Sequence, residues 1–325
     1  MATPSSFQNA MAGAATPAFV EELAGVWGKP WGAWDEVGRL QRVLVRRPGN
    51  ELSVVSADAW NEEAEALVDP NGQWYWTDRR PPDLARVAEQ HTGLVDALRR
   101  EGVTVDVAPP LGKPFTKAIY TRDPLITTRH GAIIGRMGVR MRRGEEPDVT
   151  RFVAGLGMPI VGTITGTGTL EGGSYCKLRP DLHLLGTSIR CNHEGARQLR
   201  ALLALMDVEL LEVPLPGWSI HIDLHLAVVD PERVLVDAEH LPYDFLVRLR
   251  EQGFELLEAD RSEAWSLNLL CVAPGRVLMA DGSPRTAERL AAAGIEVMTI
   301  PYDEIQKNGG GIHCSTMELI RDRPT

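Results

Sequence analysis

The chain has 325 residues, 44% of them hydrophobic and 24% charged, and a formal net charge of −10. That balance suits a folded protein with a large core and excludes a general nucleic-acid surface, which needs a concentrated basic face. No stretch approaches the ~18 apolar residues of a membrane span, and four cysteines with no CxxC pair exclude a zinc ribbon or a disulfide scaffold.

Residues 1–28 are small and polar, without a basic n-region or a continuous apolar core. They predict no secretory signal and a poorly ordered tail. The cysteines predict reduced thiols and a cytoplasmic setting. Residues 29–325 show no convincing linker and predict one domain.

Leu40 to Arg46 predicts a strand, Leu84 to Arg99 a helix and Val103 to Val107 a second strand. From Tyr120 onward one unit recurs: two short strands with a turn, a helix, then another strand. The first copy opens with Tyr120-Thr-Arg-Asp-Pro, turns at Arg129-His-Gly131, has a helix from Arg142 to Ala154 and closes at Met158 to Val161. The second opens at Thr169-Leu-Glu-Gly-Gly and turns at Arg179-Pro-Asp181. Asn192 caps its helix, and Val208 to Val213 closes it. The third opens as the strand Ser219-Ile-His-Ile-Asp-Leu-His, turns at Asp230 to Arg233, and has a helix from Pro242 to Gln252. The fourth opens at Trp265-Ser-Leu-Asn-Leu-Leu, with a helix over Thr286 to Ala293 and a strand over Ile295 to Ile300. A fifth copy is split between the chain ends: Gly309-Gly-Gly-Ile-His-Cys joins Leu40 to Arg46. A split unit closes a ring and leaves no open sheet edge. The reading is five ββαβ units around an axis.

In such a ring, equivalent positions converge. The opening strands carry polar residues that a core strand avoids: Asp123, Glu171, His221 with Asp223, and Cys314. Buried carboxylates are costly without partners, so one shared polar site is implied. Cys314 follows three glycines, which let backbone approach a ligand closely. With His221 available, it reads as a nucleophile rather than a structural cysteine. On the third opening strand, His221, Asp223 and His225 face one side. They then offer a histidine acid/base beside a carboxylate, a three-ligand metal site, or a structural pair. Asp123 and Glu171 could each be turn residues instead. Arg142 and Arg190 could each hold a substrate carboxylate bidentately, though Arg142 also looks like a solvated helix start.

Together these motifs resemble the guanidino-modifying superfamily of arginine deiminases, dimethylarginine hydrolases and amidinotransferases. The resemblance runs from Asp35-Glu-Val-Gly-Arg-Leu through Thr-Arg-Asp-Pro, Glu-Gly-Gly and His-x-Asp to Gly-Gly-Gly-Ile-His-Cys. It implies an α/β fold, a five-bladed α/β propeller of ββαβ units. It also implies Cys314 as nucleophile, His221 as general acid/base and Glu171 as its carboxylate partner. Asp123 and Asp223 would grip the guanidinium, and Arg142 and Arg190 the substrate's α-carboxylate. The implied activity is hydrolysis of a guanidinium C–N bond of arginine or an arginine-like amino acid through a covalent thiouronium. Amidino transfer from arginine to an amine is the alternative. Readings of other classes are a metal-dependent hydrolase using His221, Asp223 and His225, and a non-catalytic binding protein. Neither cofactor nor metal is expected. The partner is a small cationic guanidino substrate, with homo-oligomers left open. Three positions depart from the pattern: Ser174 for an aspartate, Lys117 for an asparagine, and His225.

Overall fold

The computed structural model describes residues 7, 8, 11 and 16–324. The expectation for residues 1–6, 9, 10 and 12–15 lies outside the described residues. Further along the expected tail, Phe19–Val26 forms helix α1 and buries Leu23.

Strand β1 (Leu40–Arg46) is followed by a small sheet the sequence reading did not foresee, β2 (Trp60–Asn61), β3 (Ala66–Val68) and β4 (Tyr75–Trp76). Helix α2 (Leu84–Arg100) begins where Asp83 accepts from the amides of Ala85 and Arg86, and it buries Val87, Leu94 and Leu98 on one face. Strand β5 (Thr104–Ala108) returns parallel to β1. Four repeats then follow. β6 (Leu125–Thr128), β7 (Gly131–Ile134), α3 (Glu145–Gly155) and β8 (Ile160–Thr163) form the first. β9 (Tyr175–Arg179), β10 (Leu182–Thr187), α4 (His193–Ala204) and β11 (Glu209–Pro214) form the second. β12 (Leu226–Asp230), β13 (Arg233–Val236), α5 (Tyr243–Glu251) and β14 (Glu255–Glu258) form the third. A fourth comprises β15 (Leu270–Ala273), β16 (Arg276–Ala280), α6 (Pro284–Ala292) and β17 (Glu296–Ile300). Helix α7 (Asp303–Gln306) leads to β18 (Met317–Arg321), which pairs antiparallel with β1.

Each repeat is thus an antiparallel hairpin whose second strand pairs parallel with a third, reached through a helix. The split unit, β18-β1-β5, has the same order with its chain ends exchanged. The opening strands β6, β12 and β18 are buried throughout, while β8 and β14 are exposed at both ends. In these units the sheet therefore runs from a buried opening strand to a part-exposed third strand. Among the described residues no helix is long and apolar enough to cross a membrane.

The opening motifs themselves are not strands, which corrects the sequence reading. Gly172–Ser174 and Ile222–Leu224 are single 3₁₀ turns, and Thr121 to Pro124, Trp265 to Leu267 and Ile312 to Ser315 are turns as well. Their backbone bonds close locally, as from Ser174 N to Glu171 O, His225 N to Ile222 O and Asn268 N to Trp265 O. Others reach the next motif, from Arg122 N to Cys314 O and from Gly172 N to Asp123 O. Tight turns aim polar side chains to one side, where a pleated strand alternates them between faces. The first helix likewise starts at Glu145, with Arg142 in a preceding 3₁₀ turn.

Candidate active site

Cys314, His221, Asp123, Arg142 and Arg190 line one small cavity, together with Tyr75, Lys117 and apolar Val139, Met141, Ile220 and Leu224. Asp123, His221 and Cys314 each arrive on a turn just before the opening strand of a unit, β6, β12 and β18.

His221 Nε2 lies 2.8 Å from Glu171 Oε2. Its Nδ1 is 3.6 Å from Asp123 Oδ1 and 4.0 Å from Asp223 Oδ1. Burial works against a charged imidazole here, but Asp123, Glu171 and Asp223 outweigh it and raise the pKa of His221. Burial would likewise raise Glu171, yet the bond and charge of His221, with Arg190 and Arg142, hold it at about 2. Glu171 Oε1 also accepts from Gly138 N at 2.8 Å, which fixes the carboxylate's plane. Gly173 makes the close approach of these groups feasible. A Cβ there would lie 2.6 Å from His221 Nδ1 and 2.9 Å from Asp123 Oδ1.

Asp223 connects the imidazole to the thiol. Its Oδ2 lies 3.7 Å from Cys314 Sγ and 2.8 Å from His313 Nδ1. Its Oδ1 is buried with no hydrogen-bond partner among the described residues. Burial would raise its pKa, but His313 and then His221 lower it. Burial first, and then the charges of Asp223 and Asp123, push the Cys314 thiol well above its ordinary value. Asn268 opposes this by donating from Nδ2 to Sγ at 3.0 Å.

Arg142 is buried and committed. It makes paired bonds to Glu145 at 2.9 and 2.7 Å, reaches Tyr120 O at 2.9 Å, and pairs with Asp123 through Nη1. Arg190 is looser: Nη1 is 3.3 Å from Glu171 Oε2, and its buried Nε has no hydrogen-bond partner among the described residues. Lys117 Nζ bonds Asn308 O, Asn308 Oδ1 at 2.9 Å and Tyr75 O at 3.1 Å, 3.3 Å from the Tyr75 ring centroid. Burial, then Arg142 and Arg190, lower its pKa well below the usual range. Ser174 Oγ lies 3.5 Å from Ile220 O, and Ser174 is not among the cavity-lining residues.

His225 does not join His221 and Asp223 on one face, which corrects the three-ligand expectation. The turn Ile222–Leu224 swings it away to Ser219, Asp237 and His240. The sequence reading missed Asn268 and Tyr75. Asn268 was findable, because it sits in the fourth unit where the other units carry Asp123, Glu171 and Asp223. Tyr75 comes from the unforeseen sheet and carried no signal.

A family model described as arginine deiminase matches residues 106–251 and 253–321. An N(G),N(G)-dimethylarginine dimethylaminohydrolase of Pseudomonas aeruginosa is 32% identical over 242 residues, 73% of this chain and 90% of that protein. One from Streptomyces coelicolor is 27% identical over 280 residues, covering 86% of this chain and 97% of the relative. The solved Pseudomonas aeruginosa dimethylarginine enzyme, in complex with citrulline, superposes with a TM-score of 0.70 at 27% identity, covering 87% of this chain and all of that one (100%).

Proposed function

Because the chain belongs to the arginine deiminase family, within the guanidino-modifying superfamily, we propose that it is a cysteine hydrolase of arginine or N-substituted arginine. It breaks a guanidinium C–N bond through a thiouronium on Cys314. One observation carries the reading: Asp223 stands between the His221 imidazole and the Cys314 thiol, with one oxygen unpartnered. A planar cation with several N–H donors is the ligand that such an acceptor lacks.

The guanidinium binds against Asp123 and Asp223. Its charge offsets the two carboxylates that keep the thiol protonated, so Cys314 loses its proton to solvent as substrate arrives. The thiolate attacks the central carbon. The imidazolium of His221, held by Glu171, gives its proton to the departing nitrogen, which leaves as the amine. His221, now neutral, takes a proton from water. The hydroxide adds to the thiouronium carbon, and the C–S bond breaks as the added hydroxyl gives its proton to solvent, which releases the neutral ureido product and restores the thiolate and imidazolium. Arg190, with its unpartnered Nε, is the group suited to the substrate's α-carboxylate. Arg142 acts as the counter-ion that holds Asp123.

The five units also read as blades about a common axis, the propeller expected from the repeat. Contacts of β18 with β6, β1 with β15, and β12 with β15, the bridge of Arg136 to Leu170, and contacts of β9 with the Ile222–Leu224 turn support it.

Incubation with L-arginine, N-methylated arginines and agmatine, followed by mass spectrometry, tests the function. A ureido amino acid and the released amine are expected, with agmatine the poorest substrate. An amidino group transferred to added glycine, or no product from any of these guanidines, would overturn the hydrolase reading.

A further inference from the structure

A second group of ligating side chains lies apart from the active-site cavity. His225 directly precedes β12 and Asp237 directly follows β13, and Asp237 N bonds His225 O at 2.9 Å across the end of that ladder. His240 follows on a turn, its amide bonding Asp237 O at 3.2 Å. The imidazoles of His225 and His240 stack at 5.5 Å, and Asp237 Oδ2 lies 3.6 Å from His225 Nδ1 and 2.6 Å from His240 Nδ1.

His225 is only 8% exposed, and its Nδ1 has no hydrogen-bond partner among the described residues. Its other nitrogen, Nε2, is 3.0 Å from Ser219 Oγ. A hydroxyl that accepts from Nε2–H leaves Nδ1 with a lone pair turned toward Asp237 and His240. This outer contact is what fixes the tautomer of a metal-binding histidine. One ligand atom from each of the three residues lies within 4.8 Å of the others. Ligands of a tetrahedral zinc ion are about 3.3 Å apart, given bonds of ~2.0–2.1 Å. The side chain of His240 is 56% exposed, which leaves a path for ion entry.

We propose that His225 Nδ1, Asp237 Oδ2 and His240 Nδ1 form a zinc site, completed by water. Two imidazoles and one carboxylate are a donor set that favours Zn²⁺ over magnesium or calcium. The consequence is local order. His225 N bonds Ile222 O at 2.8 Å, so the ion ties the turn bearing His221 and Asp223 to the loop after β13. The site does not depend on the proposed reaction.

The test uses the full chain with Cys314→Ser, so that no active-site thiolate competes, after dialysis against a chelator. ZnCl₂ is then titrated in, and bound metal is measured after gel filtration. One zinc per chain is expected, with a rise in melting temperature of about 5 °C at hundredfold excess over Kd. Adding His240→Ala should abolish both effects without changing the melting temperature of the metal-free protein, and Asp237→Asn should also remove retained zinc. No retained zinc, or equal zinc in the His240→Ala protein, would overturn the site.

Discussion

Asn268 holds Cys314 at two points. Its Nδ2 donates to Sγ at 3.0 Å, and its Oδ1 accepts from the Cys314 amide at 3.1 Å. Backbone and thiol are therefore oriented together, and the donor favours the thiolate over the thiol. Asn268→Ala removes both contacts. A hydrogen bond to a charged group is worth roughly 1.5–3 kcal/mol, so kcat should fall about 10–100-fold with a smaller change in KM. Asn268→Asp would set a third carboxylate beside the sulfur and should be worse. Equal activity in Asn268→Asp and the parent would show that the side chain does not tune the thiol.

Cys314→Ala should abolish turnover of every guanidino substrate while leaving the melting temperature within a few degrees, because only one sulfur is lost from a packed site. Intact-protein mass spectrometry on the parent, quenched during turnover, should show the amidino adduct, and the variant should show none. Turnover by the variant would remove the nucleophile assignment.

The Glu171–His221 pair predicts a pH signature. The charge of Glu171 helps to raise His221, so Glu171→Gln should lower that pKa and move the basic limb of kcat to lower pH, with kcat down ~10²-fold. The stability effect has the opposite range. Glu171 ordinarily titrates at 4.5 and is held at about 2, so its contribution is present above 4.5 and is lost as pH falls toward 2. Denaturation of Glu171→Gln should accordingly show a weaker loss between pH 4.5 and 3. A basic limb left in place would argue that Glu171 does not act on the imidazole.

Beside the active site lies a fully enclosed ionic cluster. Lys177 Nζ is 2.6 Å from Glu36 and 2.5 Å from Glu318, and Arg122 is 2.7 Å from Glu318. It joins β9, β18, the segment before β1 and the turn that carries Asp123. Lys177→Met would leave two buried carboxylates short of a counter-charge and should cost about 3–5 kcal/mol. Denaturant titration measures this, and a loss under 1 kcal/mol would mean that Arg122 suffices.

Much of the architecture was legible because it rests on periodicity. The helix read as Leu84 to Arg99 is Leu84–Arg100, and Asn192 caps α4 through Gly195 N. The split unit was legible from its β1 segment and the Cys314 motif. The opening motifs were misread because an apolar residue between two polar ones mimics strand alternation. A 3₁₀ turn such as Ile222–Leu224 has the same short pattern, and only its local hydrogen bonds separate the two. The insertion bearing Tyr75 has strands of two or three residues, too short for any periodic signal.

By itself, the order of residues determined the repeated unit and which polar side chains had to share a buried place, since isolated carboxylates and imidazoles do not survive in a core. Only the tertiary structure decided their pairings. Arg142 turned to Asp123 and Glu145, Asn268 reached Cys314, and His225 left His221 for Asp237 and His240. Hydrogen bonds and ion pairs depend on distances of a few tenths of an ångström between residues far apart in the chain. Neither spacing nor composition carries that information.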